Sequence, residues 1–228
     1  MSLYLAVELC ALAIPLAFSF DRKVAYFRMW PFLLPSILIN AVIFVSLDIY
    51  FTSNGIWGFN PEYHSRLMIA GLPLEELLFF IIIPYCSLFV HYVFIAYLPG
   101  VTVNKSISGL LSALLILLLL VAAVLNLTRT YTSFYSAMTA VIILIAWIAN
   151  PAMLSRFYIT FLIIMIPFLL VNSILTGSFI EGEVFWYDNN EISGVRLFSI
   201  PVEDVLFGFS LILLNLLVAE RLRKVMKK

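Results

Sequence analysis

Apolar residues occupy most of the chain in long runs that are separated by short polar stretches. A transmembrane α-helix needs about 20 consecutive apolar residues. Seven runs approach or exceed this length, and they cover residues 3–20, 30–47, 72–98, 108–127, 132–149, 156–175 and 198–220. The pattern therefore predicts an all-α polytopic membrane protein with about seven transmembrane helices.

Composition supports a chain surrounded by lipid. Of the 228 residues 64% are hydrophobic, and only 13 are basic and 13 acidic. A soluble domain carries about twice this fraction of charge, so most of the surface must face lipid. The net charge of zero argues against a nucleic-acid partner. The first run begins near Met1 without a basic segment and contains Glu8, which predicts a retained helix and not a cleaved signal peptide.

Lysine and arginine residues are unevenly distributed between the two ends of the predicted helices. With the N-terminus outside, ten of them fall on the inner face: Arg22, Lys23, Arg28, Lys105, Arg156, Arg221, Arg223, Lys224, Lys227 and Lys228. Only three fall on the outer face: Arg66, Arg129 and Arg196. Because inner loops carry the excess of positive charge, the counts predict an outer N-terminus and an inner C-terminus. The two long loops, residues 48–71 and 176–197, then face outward.

One acidic motif occurs twice in the chain. Residues 72–79 read Leu-Pro-Leu-Glu-Glu-Leu-Leu-Phe, and residues 200–207, 128 positions later, read Ile-Pro-Val-Glu-Asp-Val-Leu-Phe. Two pairs of segments before the motif are also similar: 48–52 with 172–176, and 57–60 with 186–189. Matching helices of the two copies are four helices apart, for example the third and the seventh. Because each helix crosses the membrane once, helices an even number apart run in the same direction, and the copies are predicted to be parallel.

The duplication predicts three helices, one linker helix and three further helices. The first repeat covers residues 1–100, the linker helix 101–130 and the second repeat 131–228. Both acidic motifs then begin their helices at the same face of the membrane.

Each copy of the motif places two acids in the first turn of its helix: Glu75 and Glu76, then Glu203 and Asp204. The proline before each pair suits a first turn, because proline lacks an amide proton. Such acids can simply stabilise a helix start, by a few tenths to about 1 kcal/mol. Two pairs at matched depth favour a functional role, since ionisable groups at the lipid boundary are costly. Adjacent helical residues point about 100° apart, so one acid can cap or anchor the helix start while the other faces the bundle interior.

Packing of the repeats around a pseudo-two-fold axis would place the acids in one cavity roofed by Trp57 and Trp186. A low dielectric and neighbouring like charges would keep one carboxyl neutral while another stays ionised, which is an acid–base device. Glu8 either joins this site or is a plain interfacial acid. No metal or cofactor is expected, because His64 and His91 lie far apart and neither nucleotide-binding nor aspartate-rich diphosphate motifs occur.

Several strings together resemble the small membrane lycopene cyclases. The resemblance is carried by residues 21–30, 48–61 and 72–85 in the first half and by residues 172–177 and 200–209 in the second. In this family the two halves occur as separate subunits or fused, and the chain looks like the fused form. It departs from the family pattern at His91-Tyr92, where relatives have Tyr-Glu; the matching position in the second half keeps Glu220.

The resemblance implies a redox-neutral, acid–base cyclisation of the end groups of lycopene, or a related linear carotenoid, to β-rings through γ-carotene. It implies four catalytic carboxyls, namely Glu75, Glu76, Glu203 and Asp204, without indicating which one donates the proton. Residues expected to bind substrate are Asp48, Trp57, Asn60, Phe79, Asn172, Trp186 and Phe207. The expected setting is the lipid of a prokaryotic cell membrane. A homo-oligomer, a loosely bound flavin, and the number and type of rings are left open.

Two other functions fit parallel repeats with intramembrane acids. One is a proton-coupled transporter, although the helix interiors apart from Glu8 are almost free of charge and offer no polar path to the inner face. The other is a non-catalytic membrane protein that binds a carotenoid or another isoprenoid.

Overall fold

The computed structural model describes residues 1–227 and contains seven α-helices within them. Lys228, which belongs to the predicted second repeat and basic tail, lies outside the described residues. Each helix, counting the short 3-10 turns beside the first two, is long and apolar enough to span a membrane. They are α1 Leu3–Ala17, α2 Trp30–Ser53, α3 Leu74–Tyr97, α4 Lys105–Leu125, α5 Thr130–Ala149, α6 Pro151–Leu175 and α7 Val202–Met226. The predicted all-α polytopic class is confirmed, and the protein is an integral membrane protein.

Six short strands lie in the two long loops. They are β1 Trp57–Phe59, β2 Met68–Ile69, β3 Leu72–Pro73, β4 Phe185–Tyr187, β5 Arg196–Leu197 and β6 Ile200–Pro201. The hairpin β2–β3 leads directly into α3, and the hairpin β5–β6 leads in the same way into α7. Strand β1 of the first loop pairs antiparallel with β4 of the second, so the two loops form one cover over the bundle.

Most helix boundaries differ from the predicted ones by a few residues, and three differences concern the acidic motifs and Asp48. Helix α2 continues to Ser53, so Asp48 lies inside a helix and not at the start of a loop. Helix α7 starts at Val202 and not at residue 198, because residues 200–201 pair as a strand. Pro73 and Pro201 have extended ψ angles of 149° and 142° and stand just before their helices, not in the first turn.

The centre of the bundle is formed by α3 and α7. In these helices 56% and 61% of the most apolar window is buried, against 17% in α4. Helix α4 packs mainly on α5 and presents leucine and valine side chains to the outside. Acids in the first turns of α3 and α7 therefore lie in the middle of the protein and not at its rim.

Equivalent parts of the two halves meet along the α3–α7 axis. The rings of Phe79 and Phe207, at matching positions of the motif, are stacked with centroids 6.1 Å apart. Near the other end of the same helices, the Tyr92 hydroxyl donates to Glu220 Oε1 at 3.2 Å. These contacts support the parallel duplication; the division into three, one and three helices stays a prediction.

Two glycines in the second long loop provide a test of its backbone. Gly177 and Gly194 both have positive φ angles, +94° and +81°. A Cβ atom on Gly177 would collide with the backbone carbonyl oxygen of Gly182, whereas a Cβ on Gly194 meets nothing within 4 Å. We expect Gly194→Ala to cost about 1 kcal/mol for the left-handed backbone alone, and Gly177→Ala to cost clearly more.

Thermal unfolding in detergent measures this difference. The unfolding temperature should fall further for Gly177→Ala than for Gly194→Ala. Equal shifts in the two variants would contradict the described contact between Gly177 and Gly182.

Candidate active site

The first acid of each pair anchors the loop that precedes its helix. Glu75 accepts hydrogen bonds from the Ser2 hydroxyl and the Ser65 amide, both at 2.6 Å, and from the Ser65 hydroxyl at 2.9 Å. Glu203 accepts from the Thr132 hydroxyl at 2.5 Å and from the Ser193 amide at 2.6 Å. These two carboxyls hold the chain in front of α3 and α7 and do not line the central cavity.

The second acid of each pair faces a small cavity between α3 and α7. Glu76 and Asp204 are its two carboxyl groups, and the other lining residues are Trp57, Phe59, Phe79, Phe80, Tyr131, Asn172, Phe185, Tyr187 and Phe207. The volume is about 40 Å³, far smaller than that of the groove described below. The site is therefore a small, aromatic chamber with one carboxyl from each half.

Asp204 is surrounded by hydrogen-bond donors. Tyr131 donates to Oδ1 at 2.7 Å, while Tyr187 and the Asn172 amide donate to Oδ2 at 2.9 and 3.2 Å. Tyr187 lies in β4, outside the membrane-spanning segments. Burial and the neighbouring Asp204 raise the pKa of the Tyr187 phenol well above its ordinary value, so it remains a neutral donor.

Glu76 has fewer donors and a second carboxyl beside it. The Tyr4 hydroxyl donates to Glu76 Oε2 at 2.7 Å. The Asp48 side chain makes the other contact, carboxyl to carboxyl. Asp48 Oδ1 accepts from Trp57 Nε1 at 2.7 Å, but its Oδ2 is buried without any other donor. Two neighbouring carboxyl groups can hydrogen-bond to each other only when one of them carries a proton.

The predicted substrate-binding residues divide into two groups. Trp57, Phe79, Asn172 and Phe207 line the cavity, and Asp48 lies directly behind Glu76. Asn60 and Trp186 do not line it.

Strand geometry explains why these two residues lie elsewhere. Successive residues of a strand point to opposite faces, so Phe185 and Tyr187 face the cavity while Trp186 lies over Gly58 on the other side. The backbone amide of Asn60 donates to the Val184 carbonyl at 2.9 Å, which joins the two loops. The expected roof of two tryptophans is instead formed by Trp57 with phenylalanine and tyrosine.

Tyr4 and Tyr131 are site residues that the sequence comparison missed. Each is the second residue of its helix, α1 or α5, and each donates to the second acid of the motif in its own half. Extending the repeat comparison to the starts of these helices would have paired them. Phe59, Phe185 and Tyr187 could be found only from the β1–β4 register.

A larger apolar groove of about 600 Å³ adjoins the cavity. It is formed by α1, α3 and α6, with Val7, Ala11, Ile83, Pro167 and Val171 among the residues that line it. Phe79 and Asn172 line both spaces. A long hydrocarbon in the groove would therefore point one end at the carboxyl chamber, with Phe79 between them.

Glu8 and His91 do not line the chamber. Glu8 is fully buried in α1 with neither oxygen hydrogen-bonded, and it does not line the cavity. His91 bonds to Thr160 Oγ1 at 2.8 Å and lines a cleft with Arg22, Lys23, Arg28, Arg156, Arg223 and Lys227. Within residues 1–227 no three His, Cys, Asp or Glu side chains converge to hold a metal ion.

Fold and site together define a seven-helix membrane protein whose aromatic chamber presents two carboxyl groups to an apolar groove. A family model described as Lycopene cyclase matches residues 1–94 and 128–222. The chain therefore belongs to the lycopene cyclase family, and the predicted resemblance is confirmed. Membership makes it an enzyme of cyclase type with a carotenoid substrate, in carotenoid biosynthesis. Searches of curated proteins and of solved structures gave no match.

The anchoring contacts of the first acids can be tested by stability. Glu75→Gln and Glu203→Gln each replace a carboxylate that accepts a backbone amide, which should cost about 1–3 kcal/mol of stability. Glu62→Gln, a change of the same type at an exposed loop residue, is the matched control and should cost almost nothing. Thermal unfolding in detergent is the measurement, and unchanged unfolding temperatures for the first two variants would contradict an anchoring role.

Proposed function

We propose that the protein cyclises the end groups of lycopene to β-rings, by acid–base catalysis and without net redox change. One observation carries the proposal: Glu76 and Asp204, one from each half, face the same aromatic chamber at the end of an apolar groove. The chemistry is assigned to this second acid of each motif. The first acids, Glu75 and Glu203, support the geometry from outside the chamber.

The proposed reaction needs one protonated carboxyl and one carboxylate. A proton adds to the less substituted carbon of the terminal double bond, and a tertiary cation forms at the other carbon. The neighbouring double bond attacks this cation, which closes a six-membered ring and moves the positive charge to a ring carbon. A carboxylate then removes a proton from the ring carbon that joins the polyene, so the new double bond is conjugated. One proton is gained and one lost, and the product is an isomer.

The chamber walls suit a cationic intermediate. Faces of aromatic rings attract a cation, and exclusion of water prevents its capture as an alcohol. The rings of Trp57, Phe79, Phe207 and Tyr187 supply such faces. The chamber is small, and Phe79 lines both it and the groove, so we expect the Phe79 side chain to move when an end group enters.

A single groove leads to the chamber among the cavities described, and this supports cyclisation of one end at a time. The first product would be γ-carotene, which must leave and bind again by its other end to form β-carotene. The substrate reaches the groove from the membrane lipid, because a pure hydrocarbon has no affinity for water.

The predicted orientation extends this proposal. The chamber lies under the two long loops, while the cleft at the other end of the bundle is lined by six Lys and Arg side chains. This separation of charge supports an inner C-terminus and a chamber near the outer face of a prokaryotic membrane.

Expression in a host that accumulates lycopene tests the reaction. The wild-type chain should convert lycopene to cyclic carotenoids, measured by pigment chromatography. Glu76→Gln and Asp204→Asn should lower conversion by about 10²-fold or more, because each removes a proton-transfer group. Glu62→Gln should convert as the wild type does. Unchanged lycopene beside folded wild-type protein would contradict the proposal and favour a carotenoid-binding or transport role.

Filling the groove tests where the polyene lies. Ala11 lines the groove, whereas Ala13, on the same helix, is exposed on its outer side. Ala11→Phe should raise the lycopene concentration needed for half-maximal rate or abolish conversion, and Ala13→Phe should leave both unchanged. Rates are measured in membranes with varied lycopene content. Equal activity of the two variants would show that the substrate does not use this groove.

A further inference from the structure

We propose that the two halves of the site have different and fixed roles: the Asp48–Glu76 pair donates the proton, and Asp204 removes the ring proton. This assignment rests on the proposed cyclase function. It follows from a difference between the halves at one matched position, which is aspartate 48 in α2 and asparagine 172 in α6.

The surroundings of Asp204 fit a carboxylate. Three donors, from Tyr131, Tyr187 and Asn172, point at its two oxygens. A carboxylate accepts all three of these hydrogen bonds strongly, and protonation would weaken them because a carboxylic acid is a poorer acceptor than a carboxylate. The donor count thus fits a group that takes up a proton only during the reaction.

The surroundings of Glu76 fit a carboxylic acid. One phenol, from Tyr4, donates to it, and its other neighbour is the carboxyl of Asp48. Because Asp48 Oδ2 is buried with no other donor, the contact between the two carboxyls is bonding only if they share a proton. Glu76 lines the chamber and Asp48 does not, so Glu76 delivers the proton and Asp48 is a positioning residue.

Position 48/172 produces this difference with almost no change of shape. Aspartate and asparagine have the same size, but the carboxyl accepts hydrogen bonds where the amide also donates them. Both residues lie near the ends of their helices, four residues before a threonine: Thr52 bonds the Asp48 side chain, and Thr176 bonds the Asn172 carbonyl. The difference between a carboxyl oxygen in Asp48 and an amide nitrogen in Asn172 therefore decides whether the neighbouring acid, Glu76 or Asp204, keeps a proton.

The proposed cycle balances. Glu76 gives its proton to the terminal double bond and becomes a carboxylate, and Asp204 gains the proton released from the ring. Between turnovers Asp204 releases that proton to the solvent and Glu76 takes up a proton from the solvent, which restores the starting state. No oxidant, reductant or other co-reactant is consumed.

Deuterium labelling separates donor from base. Membranes with each variant are supplied with lycopene in D₂O, and recovered lycopene and cyclic products are analysed by mass spectrometry. The wild type should place one deuterium in each ring formed. Asp204→Asn keeps the donor but lacks the base, so the cation must return a proton to Glu76, and the recovered lycopene gains deuterium. Glu76→Gln cannot protonate lycopene, so its recovered lycopene should carry about 10²-fold less deuterium.

Two reciprocal substitutions, Asp48→Asn and Asn172→Asp, test whether this position determines the roles of the two acids. Asp48→Asn should behave like Glu76→Gln, with little product and little label. Asn172→Asp should behave like Asp204→Asn, with reduced product and labelled lycopene. Loss of structure would lower both signals together, and the unfolding temperature and membrane content of each variant identify such a case. Glu62→Gln should match the wild type.

The outcomes distinguish this assignment from the function on which it rests. Cyclic product from the wild type, with label in Glu76→Gln and none in Asp204→Asn, would reverse the roles and overturn the proposal. Equal label in both variants, or label in neither, would also overturn it, because either result means that the halves do not divide the two steps. No cyclic product from the wild type would instead refute the cyclase function itself.

Discussion

The structure depends on the burial of two carboxyl groups between α3 and α7. A buried carboxyl without partners is costly in a bundle surrounded by lipid, where no water can replace a missing hydrogen bond. The end of the bundle that carries the two long loops supplies such partners. Tyr4 and Tyr131 begin α1 and α5 at the height of the second acids, and the β1–β4 pairing brings Tyr187 over Asp204. Hydrogen bonds to the acids thus tie both loops to the helices beneath them.

Duplication gives this arrangement near-symmetry, and the chemistry needs the symmetry to be broken. Two identical half-sites would hold two equivalent carboxyls, whereas cyclisation requires an acid and a base at once. The lining aromatic rings keep the symmetry, as the stacked Phe79 and Phe207 illustrate. The symmetry is broken at two places. One is position 48/172, which lies next to the acids; the other is the groove, which is lined by α1, α3 and α6 only. In the proposed mechanism, the substrate then meets the two carboxyls in a fixed order.

The sequence was sufficient for the seven helices and for the motif whose second acids meet in the chamber, because both depend on patterns that repeat along the chain. It was insufficient where a contact depends on register or on a third element. Trp186 matches Trp57 in sequence, yet a step of one residue along a paired strand sends its side chain to the other face. The contact of Asp48 with Glu76 joins α2 to α3, and no spacing within either helix predicts it.

The small volume of the chamber is itself consistent with proton chemistry on a hydrocarbon. A carbocation reacts with any water within reach, so a catalyst must exclude water before the proton is transferred and must still admit a long substrate. In the proposed mechanism, the chamber is small until an end group displaces Phe79, and this meets both demands. The substrate itself then fills the space from which water is excluded. Without substrate, the faces of the aromatic rings pack against each other. With substrate bound, the proposed mechanism has the same faces contact the end group and stabilise its cation.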